Sequence, residues 1–372
     1  MNKLNQDCRY YLGDRPCTFH KKEGVRCGDC PHYSPFSEKI LIIKLDAVGD
    51  VLRTTSILSG LRKKYPAGYL TWITRSAALP IFINNSLVDR VLPLQPDGLV
   101  CALAETFDLS INLDTSPLSS SLHALIRAGE KKGFTLDDRG RVISCNPEAE
   151  KWLRMSVFDD VKKANRETCQ TIMREIVGLP PPDGEIVLNL LPRELGLAGR
   201  FTDEVGLDGG GLVIGFNTGA GRRWKYKKWT RSATLELARL CADRLNAQLL
   251  LYGGPEEEER NAWLLERGGD IFIDTGCHND LRTFFAKLSL SDLLVTSDTL
   301  ALHAAAGLKK KVVALFGPTS AAEIDLYGRG EKVVSPVPCR CCYRPDCEVK
   351  PDCMESITPQ VVFEAINRLM PL

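Results

Sequence analysis

The sequence predicts an α/β protein made of two doubly wound parallel sheets in tandem, and three observations carry that reading. Short apolar runs alternate with segments whose apolar residues fall at helical spacing, the pattern of parallel strands covered on both faces. The alternation breaks at GLPPPDGE (178–185), where three consecutive prolines sit between glycines, and then restarts. A length of 372 residues suits two or three domains, taking about 150 residues for each.

ILIIKL (40–45) opens the first unit as a buried strand. VLRTTSILSGLRKKY (51–65) reads as one helix, stopped by Pro66. YLTWIT (69–74), RVLPL (90–94) and DLSINL (108–113) are the next strands. After the break come GLVIGFN (211–217), a helix over RSATLELARLCADRL (231–245), QLLLYGG (248–254) and a helix from Pro255. DIFIDTG (270–276), a helix at DLRTFFAKL (280–288), DLLVTSD (292–298), a helix at TLALHAAAGL (299–308) and KVVALFG (311–317) complete the second unit. Thr358 caps and Pro359 opens a last amphipathic helix through Leu369. The expected division is a Cys-rich extension over 1–36, an N-terminal domain over 37–182 and a C-terminal domain over 183–372 with a Cys-rich tail at 339–353.

Composition narrows the class. Hydrophobic content of 44% and charged content of 26% are those of an ordinary soluble globular protein. A formal net charge of +1 gives no bias toward nucleic acid or an anionic membrane, so neither is expected as a whole-protein partner. No apolar run approaches the roughly 20 residues that span a bilayer, and MNKLNQDCRYYLGDRPC has no hydrophobic signal region. A cytoplasmic location is expected. The 14 cysteines are unusual for such a chain. Cys101, Cys145, Cys169, Cys241 and Cys277 stand singly and read as small buried hydrophobes. The rest cluster as Cys8, Cys17, Cys27 and Cys30, and as Cys339, Cys341, Cys342, Cys347 and Cys353. For a protein not exported, metal ligation or redox chemistry explains clusters better than disulfides do. Four thiols ending in a CxxC suit structural zinc at Cys8, Cys17, Cys27 and Cys30, with an iron–sulfur cluster as the other use of that ligand count. His20 and His32 lie close enough in sequence to replace one of them.

In doubly wound sheets the loops after the strands hold the ligand. After the 40–45 strand stands Gly49-Asp50, where a carboxylate either caps the helix or is aimed at a substrate. After the 211–217 strand come Thr218, Gly219, Ala220 and Gly221, small residues whose backbone N–H groups can approach an anion. Arg222, Arg223, Lys225, Lys227 and Lys228 follow, either as a solvated basic loop or as a phosphate site. The segment is neither GxGxxG nor GxxxxGK[ST], which argues against a dinucleotide dehydrogenase and a P-loop NTPase. The four glutamates after Pro255 complement a helix dipole, which does not exclude one of them, Glu257, turning to accept from a ribose diol. Ser297 or Asp298 serves as an N-cap of the next helix, whose N-terminus is equally an anion site. His303 on that helix reads as structural or as part of the site. No DxD metal clamp is present.

Taken in order, these stretches resemble glycosyltransferase family 9, the bacterial ADP-heptose:lipopolysaccharide heptosyltransferases. The similarity runs from about residue 38 to the end: ILIIKLDAVGDVLRTT, FDLSINLDTSPLSSSLHALIRAGEKKGF (107–134), KKW (227–229), LYGGPEEE (251–258), DTGCHNDL (274–281), SDTLALHAAAGLKKKVVALFGPT (297–319) and the tail 339–353. The resemblance implies the GT-B arrangement, two facing Rossmann-like domains with acceptor on the first and nucleotide sugar on the second. It implies inverting transfer of heptose from ADP-heptose to a lipopolysaccharide inner-core acceptor, with no metal or cofactor required for catalysis. The acceptor implied is a lipid-anchored saccharide at the cytoplasmic face of the inner membrane. By position, Asp50 matches the catalytic aspartate. Thr218, Gly219 and Ala220 match the diphosphate loop, Lys227 its basic neighbour and Glu257 the ribose contact. Asp298, Thr299 and His303 match the segment around sugar and phosphate. One departure stands out: Leu300 occupies the position where the family carries glycine, and it opens the alternative of another nucleotide sugar or acceptor. A protein of another class, a catalytically silent metal- or redox-responsive binding protein, is the rival that the clustered cysteines suggest.

Overall fold

A computed structural model of the protein describes residues 4–207, 209–221 and 224–371. The first sheet contains β1 (Lys39–Ile43), β2 (Tyr69–Thr74), β3 (Arg90–Pro93), β4 (Thr106–Asn112), β5 (Arg127–Leu136) and β6 (Val142–Ser144). The second contains β7 (Val213–Asn217), β8 (Gln248–Tyr252), β9 (Phe272–Asp274), β10 (Leu293–Ser297), β11 (Lys311–Phe316) and β12 (Gly330–Val334). Their orders are β3-β2-β1-β4-β5-β6 and β12-β11-β10-β7-β8-β9. All pairings are parallel except that of β6 on β5. These are two Rossmann-like sheets, as expected.

In each sheet the winding reverses beside the strand that starts it. β1 lies between β2 and β4, and β7 between β8 and β10. A crevice opens at such a switch point, outside the strand C-termini. The loops after β1, β4, β7 and β10 are therefore the ones brought to the ligand. Ile40, Leu41, Ile42 and Ile43 are fully buried because both faces of β1 are covered. Each such side chain contributes roughly 1.5–3 kcal/mol of burial, so the strand that carries the Asp50 loop is firmly held.

Several expectations need correction. The single helix over 51–65 is two helices, Val48–Thr54 and Leu58–Lys64, joined by a tighter turn at Thr55–Ile57. The Thr54 hydroxyl donates to the Asp50 carbonyl, and that of Thr55 to the Leu52 carbonyl while accepting the N–H of Val187. Hydroxyls that bond the preceding turn bend a helix. Thr358 makes no side-chain cap bond, although Pro359 does open the last helix. β5 and β6 were not anticipated because RAGEKKGFTL is charged and half-exposed, without an apolar run. The helix Pro192–Val205 and strand β12 also went unread.

Residues 4–36 contain a short helix, Thr18–Glu23, where no helical period was legible. Arg9 ties the segment down by pairing with Asp89 and donating to the Gly68 carbonyl. Of the five single cysteines, Cys169 and Cys241 are buried, but Cys145 and Cys277 are half-buried and Cys101 is exposed. Among the described residues no helix is long and apolar enough to cross a membrane.

Candidate active site

The loop after β1 is braced from β4. The Lys44 ammonium pairs with one oxygen of Asp114, and the Leu45 N–H donates to the other. The chain then enters the helix Val48–Thr54, in which Asp50 is the third residue. Its Oδ2 lies 3.4 Å from the Ala47 N–H, a long contact and a weak cap. Its Oδ1 accepts from Arg53 Nη2 at 2.6 Å. Burial pushes this carboxyl up, but Arg53 and Lys44, with a smaller share from His303, hold it below its ordinary value against the opposing charge of Asp298. The carboxylate is thus ionised and faces the crevice.

From the second sheet, the loop after β7 carries Thr218, Gly219 and Ala220. Thr218 is buried, and its hydroxyl donates to Asn261 Oδ1 at 2.6 Å, away from the crevice. Gly219 packs on Glu257, where a β-carbon would stand 3.1 Å from Oε2. Glu257 is buried. Its Oε2 accepts the Gly254 N–H at 3.1 Å, and Lys228 Nζ sits 2.7 Å from Oε1 without hydrogen-bond geometry. Among the described residues that oxygen is buried, paired with Lys228 and without a hydrogen-bond donor.

Of the basic loop, Arg222 and Arg223 lie outside the described residues. Lys225 pairs with Asp346 at the surface. Lys227 is mostly buried and donates to Asp298 Oδ2 at 2.8 Å and to the Asp298 carbonyl at 3.2 Å. Burial would raise the Asp298 carboxyl, but Lys227 foremost, then His303 and Arg53, bring it down to about 2. Thr299, not Ser297 or Asp298, occupies the N-cap position of the helix Leu300–Gly307, and it makes no side-chain cap bond. His303 is buried. Desolvation, then the charge of Arg53, pushes its imidazole down to about 4, so the ring is neutral near pH 7.

These groups line one crevice of about 930 Å³, within the size range of ligand pockets. Asp50, Gly219, Ala220, Lys227, Glu257, Asp298, Thr299 and His303 all face it, and Leu300 joins them. Thr218 supports the loop from behind.

Sequence reasoning missed Arg53, Trp152, Lys162, Glu323 and Tyr343, which also line the crevice. Arg53 was readable from its i+3 spacing to Asp50. Tyr343 comes from the Cys-rich tail. Its hydroxyl donates to Glu323 Oε1 at 2.6 Å, and Lys162 Nζ stands 3.8 Å from its ring centre.

The four N-terminal cysteines are not gathered around one point among the described residues. Cys8 bridges to Pro35, the Cys17 sulfur accepts the His20 N–H, and Cys27 and Cys30 flank a short turn. Among the described residues no three His, Cys, Asp or Glu side chains gather into a group able to hold a metal ion. As arranged, these thiols fit neither zinc nor an iron–sulfur cluster. In the tail, burial pushes the Cys353 thiol up to about 12, with Asp352 and the thiols of Cys342, Cys347 and Cys339 adding to the effect.

The sequence pattern of glycosyltransferase family 9 (heptosyltransferase) matches residues 99–351, well over half of the chain. The chain belongs to glycosyltransferase family 9. It is a glycosyltransferase, and its two sheets form the GT-B fold. It is 22% identical over 314 residues to lipopolysaccharide heptosyltransferase 1 of Escherichia coli K12, covering 79% of this chain and 92% of that protein. A family 9 glycosyltransferase from Veillonella parvula superposes with a TM-score of 0.74 at 18% identity, covering 89% of this chain and 97% of that one. The E. coli ADP-heptose heptosyltransferase II gives 0.65 at 20%, covering 89% and 98%. At such identities these superpositions speak for the fold. Asp50 precedes the family-matched stretch, so its assignment rests on where it stands in the crevice.

Proposed function

We propose that this enzyme transfers heptose from ADP-heptose to a lipopolysaccharide inner-core acceptor with inversion at the anomeric carbon, and needs no metal to do so. The observation that carries the reading is one crevice lined by Asp50 from the first half and by Lys227, Asp298 and His303 from the second. In this reading residues 37–182 receive the acceptor and residues 183–372 hold the nucleotide sugar. The names of the relatives support the donor. A lipid-anchored acceptor would bring the enzyme to the inner face of the membrane.

The chemistry follows from the groups present. Asp50 accepts the proton of the acceptor hydroxyl, the duty of a positioned carboxylate. The acceptor oxygen attacks the anomeric carbon from the face opposite the diphosphate, and the bond to the β-phosphate oxygen breaks. ADP leaves with charge that must be met at once. Lys227 has three N–H donors, two of them on Asp298, and the third is available to the diphosphate. The backbone N–H groups of Gly219 and Ala220 and the start of the Leu300–Gly307 helix add positive potential. Glu257, which lines the crevice, is the acceptor for a ribose diol in this reading.

Leu300 favours a second reading, a different nucleotide sugar, because it lines the crevice at a position where the resemblance leads one to expect glycine. Calorimetric titration against a panel of nucleotide diphosphate sugars separates the two. Tightest binding of ADP-heptose is expected. Preference for another base or sugar would replace the donor and leave the base chemistry standing. Binding without turnover on any acceptor would favour the silent binding protein instead.

A further inference from the structure

Arg53 lies three residues after Asp50 on one helix, so both side chains share a face. Its Nη2 donates to Asp50 Oδ1 at 2.6 Å. The pair is lopsided, with the arginine side chain 9% exposed and the carboxylate 39%. An ion pair of this kind contributes little when exposed, and burying its cation is costly. The cost is higher here because Arg53 Nε is buried without a hydrogen-bond partner. As a stabilising device the arrangement is poor. As a clamp on a carboxylate it is well built, since Oδ1 is tied down and Oδ2 keeps only its 3.4 Å contact with the Ala47 N–H.

We propose that Arg53 is a positioning residue for Asp50: it fixes the rotamer that turns Oδ2 toward the acceptor hydroxyl and keeps the carboxylate ionised when substrates close the crevice. The proposal rests on Asp50 being the base. Among the described residues, the charges that act on the carboxylate are Arg53 and Lys44 from its own half, and His303 and Asp298 from the other. Around Arg53 stand Cys169 and Glu323 as well. Lys44 is engaged by Asp114, Asp298 by Lys227, and His303 is uncharged near neutral pH. Among the described residues, balancing Asp50 therefore falls to Arg53. The clamp has a chemical cost, because a paired carboxylate is a weaker base. What it secures is that the base is never found already protonated.

The test uses the full-length protein saturated with ADP and follows the Asp50 carboxyl by 13C NMR titration, alongside the pH profile of kcat with ADP-heptose. Arg53→Met keeps the bulk and removes the charge. The Asp50 titration should then move up by about 1–3 pH units, the effect of losing an adjacent opposite charge. The acid limb of kcat should move with it, and kcat near neutral pH should fall about 10- to 100-fold from the lost orientation, with donor KM little changed. Arg53→Lys should leave the titration close to wild type and restore part of the rate. An Arg53→Met enzyme with an unmoved Asp50 titration and acid limb overturns the proposal. Should that variant not fold, Arg53→Gln makes the same comparison. The base assignment fails separately, through an Asp50→Asn enzyme that turns over at the wild-type rate.

Discussion

Gly49, the residue before Asp50, lies directly against the His303 ring of the other half. A β-carbon on Gly49 would stand 3.3 Å from His303 Cδ2 and 3.2 Å from the Leu300 Cα. No left-handed backbone angle calls for glycine there. The requirement is space, because the helix bearing Asp50 and the helix bearing Leu300 and His303 meet at this point.

Gly49→Val should push those helices apart and slow transfer about 10- to 100-fold, since a misplacement on the order of 1 Å costs about that much. ADP affinity should fall less than the rate, because the clash meets the start of the Leu300–Gly307 helix but leaves the loop after β7 and Lys227 in place. Single-turnover rates with calorimetry on the same samples check it. An unchanged rate would mean that the contact has slack and does not set the distance.

Lys227→Ala should weaken ADP binding by roughly 10- to 150-fold, the equivalent of about 1.5–3 kcal/mol for a hydrogen bond to a charged group. It should also slow transfer, because the leaving diphosphate loses a cation. Asp298 would keep its burial and lose its partner, so a lower melting temperature is expected too. Unchanged ADP affinity would place Lys227 in a purely structural pair with Asp298.

Much of this site was legible because it follows strand ends, and strand ends are marked by apolar runs. The strand-end loops brought Asp50, Lys227, Asp298 and His303 into view, and the family resemblance singled them out. What the runs could not show was which way a side chain turns. Thr218 sits in the right loop, but its hydroxyl bonds Asn261 from a distant helix. Tyr343 could not be read because it reaches the crevice from a tail with no periodicity. For the N-terminal cysteines, spacing suggested a tetrahedral site, while in the structure the Cys17 sulfur accepts the His20 N–H at the start of a short helix. β5 escaped notice because RAGEKKGFTL is charged and largely exposed over its first half and lacks the apolar run that marks β1.

Stability should fall as pH drops from about 6.5 toward 4. Desolvation pushes the folded His303 imidazole down to about 4 from an ordinary 6.5, and His123 behaves likewise. The unfolded chain then binds more protons across this window, so the neutral rings stabilise the fold fully above it and progressively less below. Asp298, depressed to about 2, contributes in a separate window and loses its effect only below its ordinary value of 3.8. Melting curves from pH 4 to 7 should show the slope, and His303→Gln should flatten part of it. A slope identical in the variant would mean that His303 titrates normally.

The most direct measurement is the single-turnover rate of transfer from ADP-heptose by Asp50→Asn, with ADP affinity and melting temperature recorded on the same preparation. The amide keeps the shape and cannot take a proton. The expected result is a rate lowered about 10²- to 10⁴-fold, the range for loss of a general base, with ADP affinity nearly intact. Wild-type turnover accompanied by a lower melting temperature would contradict it, and would make Asp50 a helix cap and an ion-pair partner, nothing more.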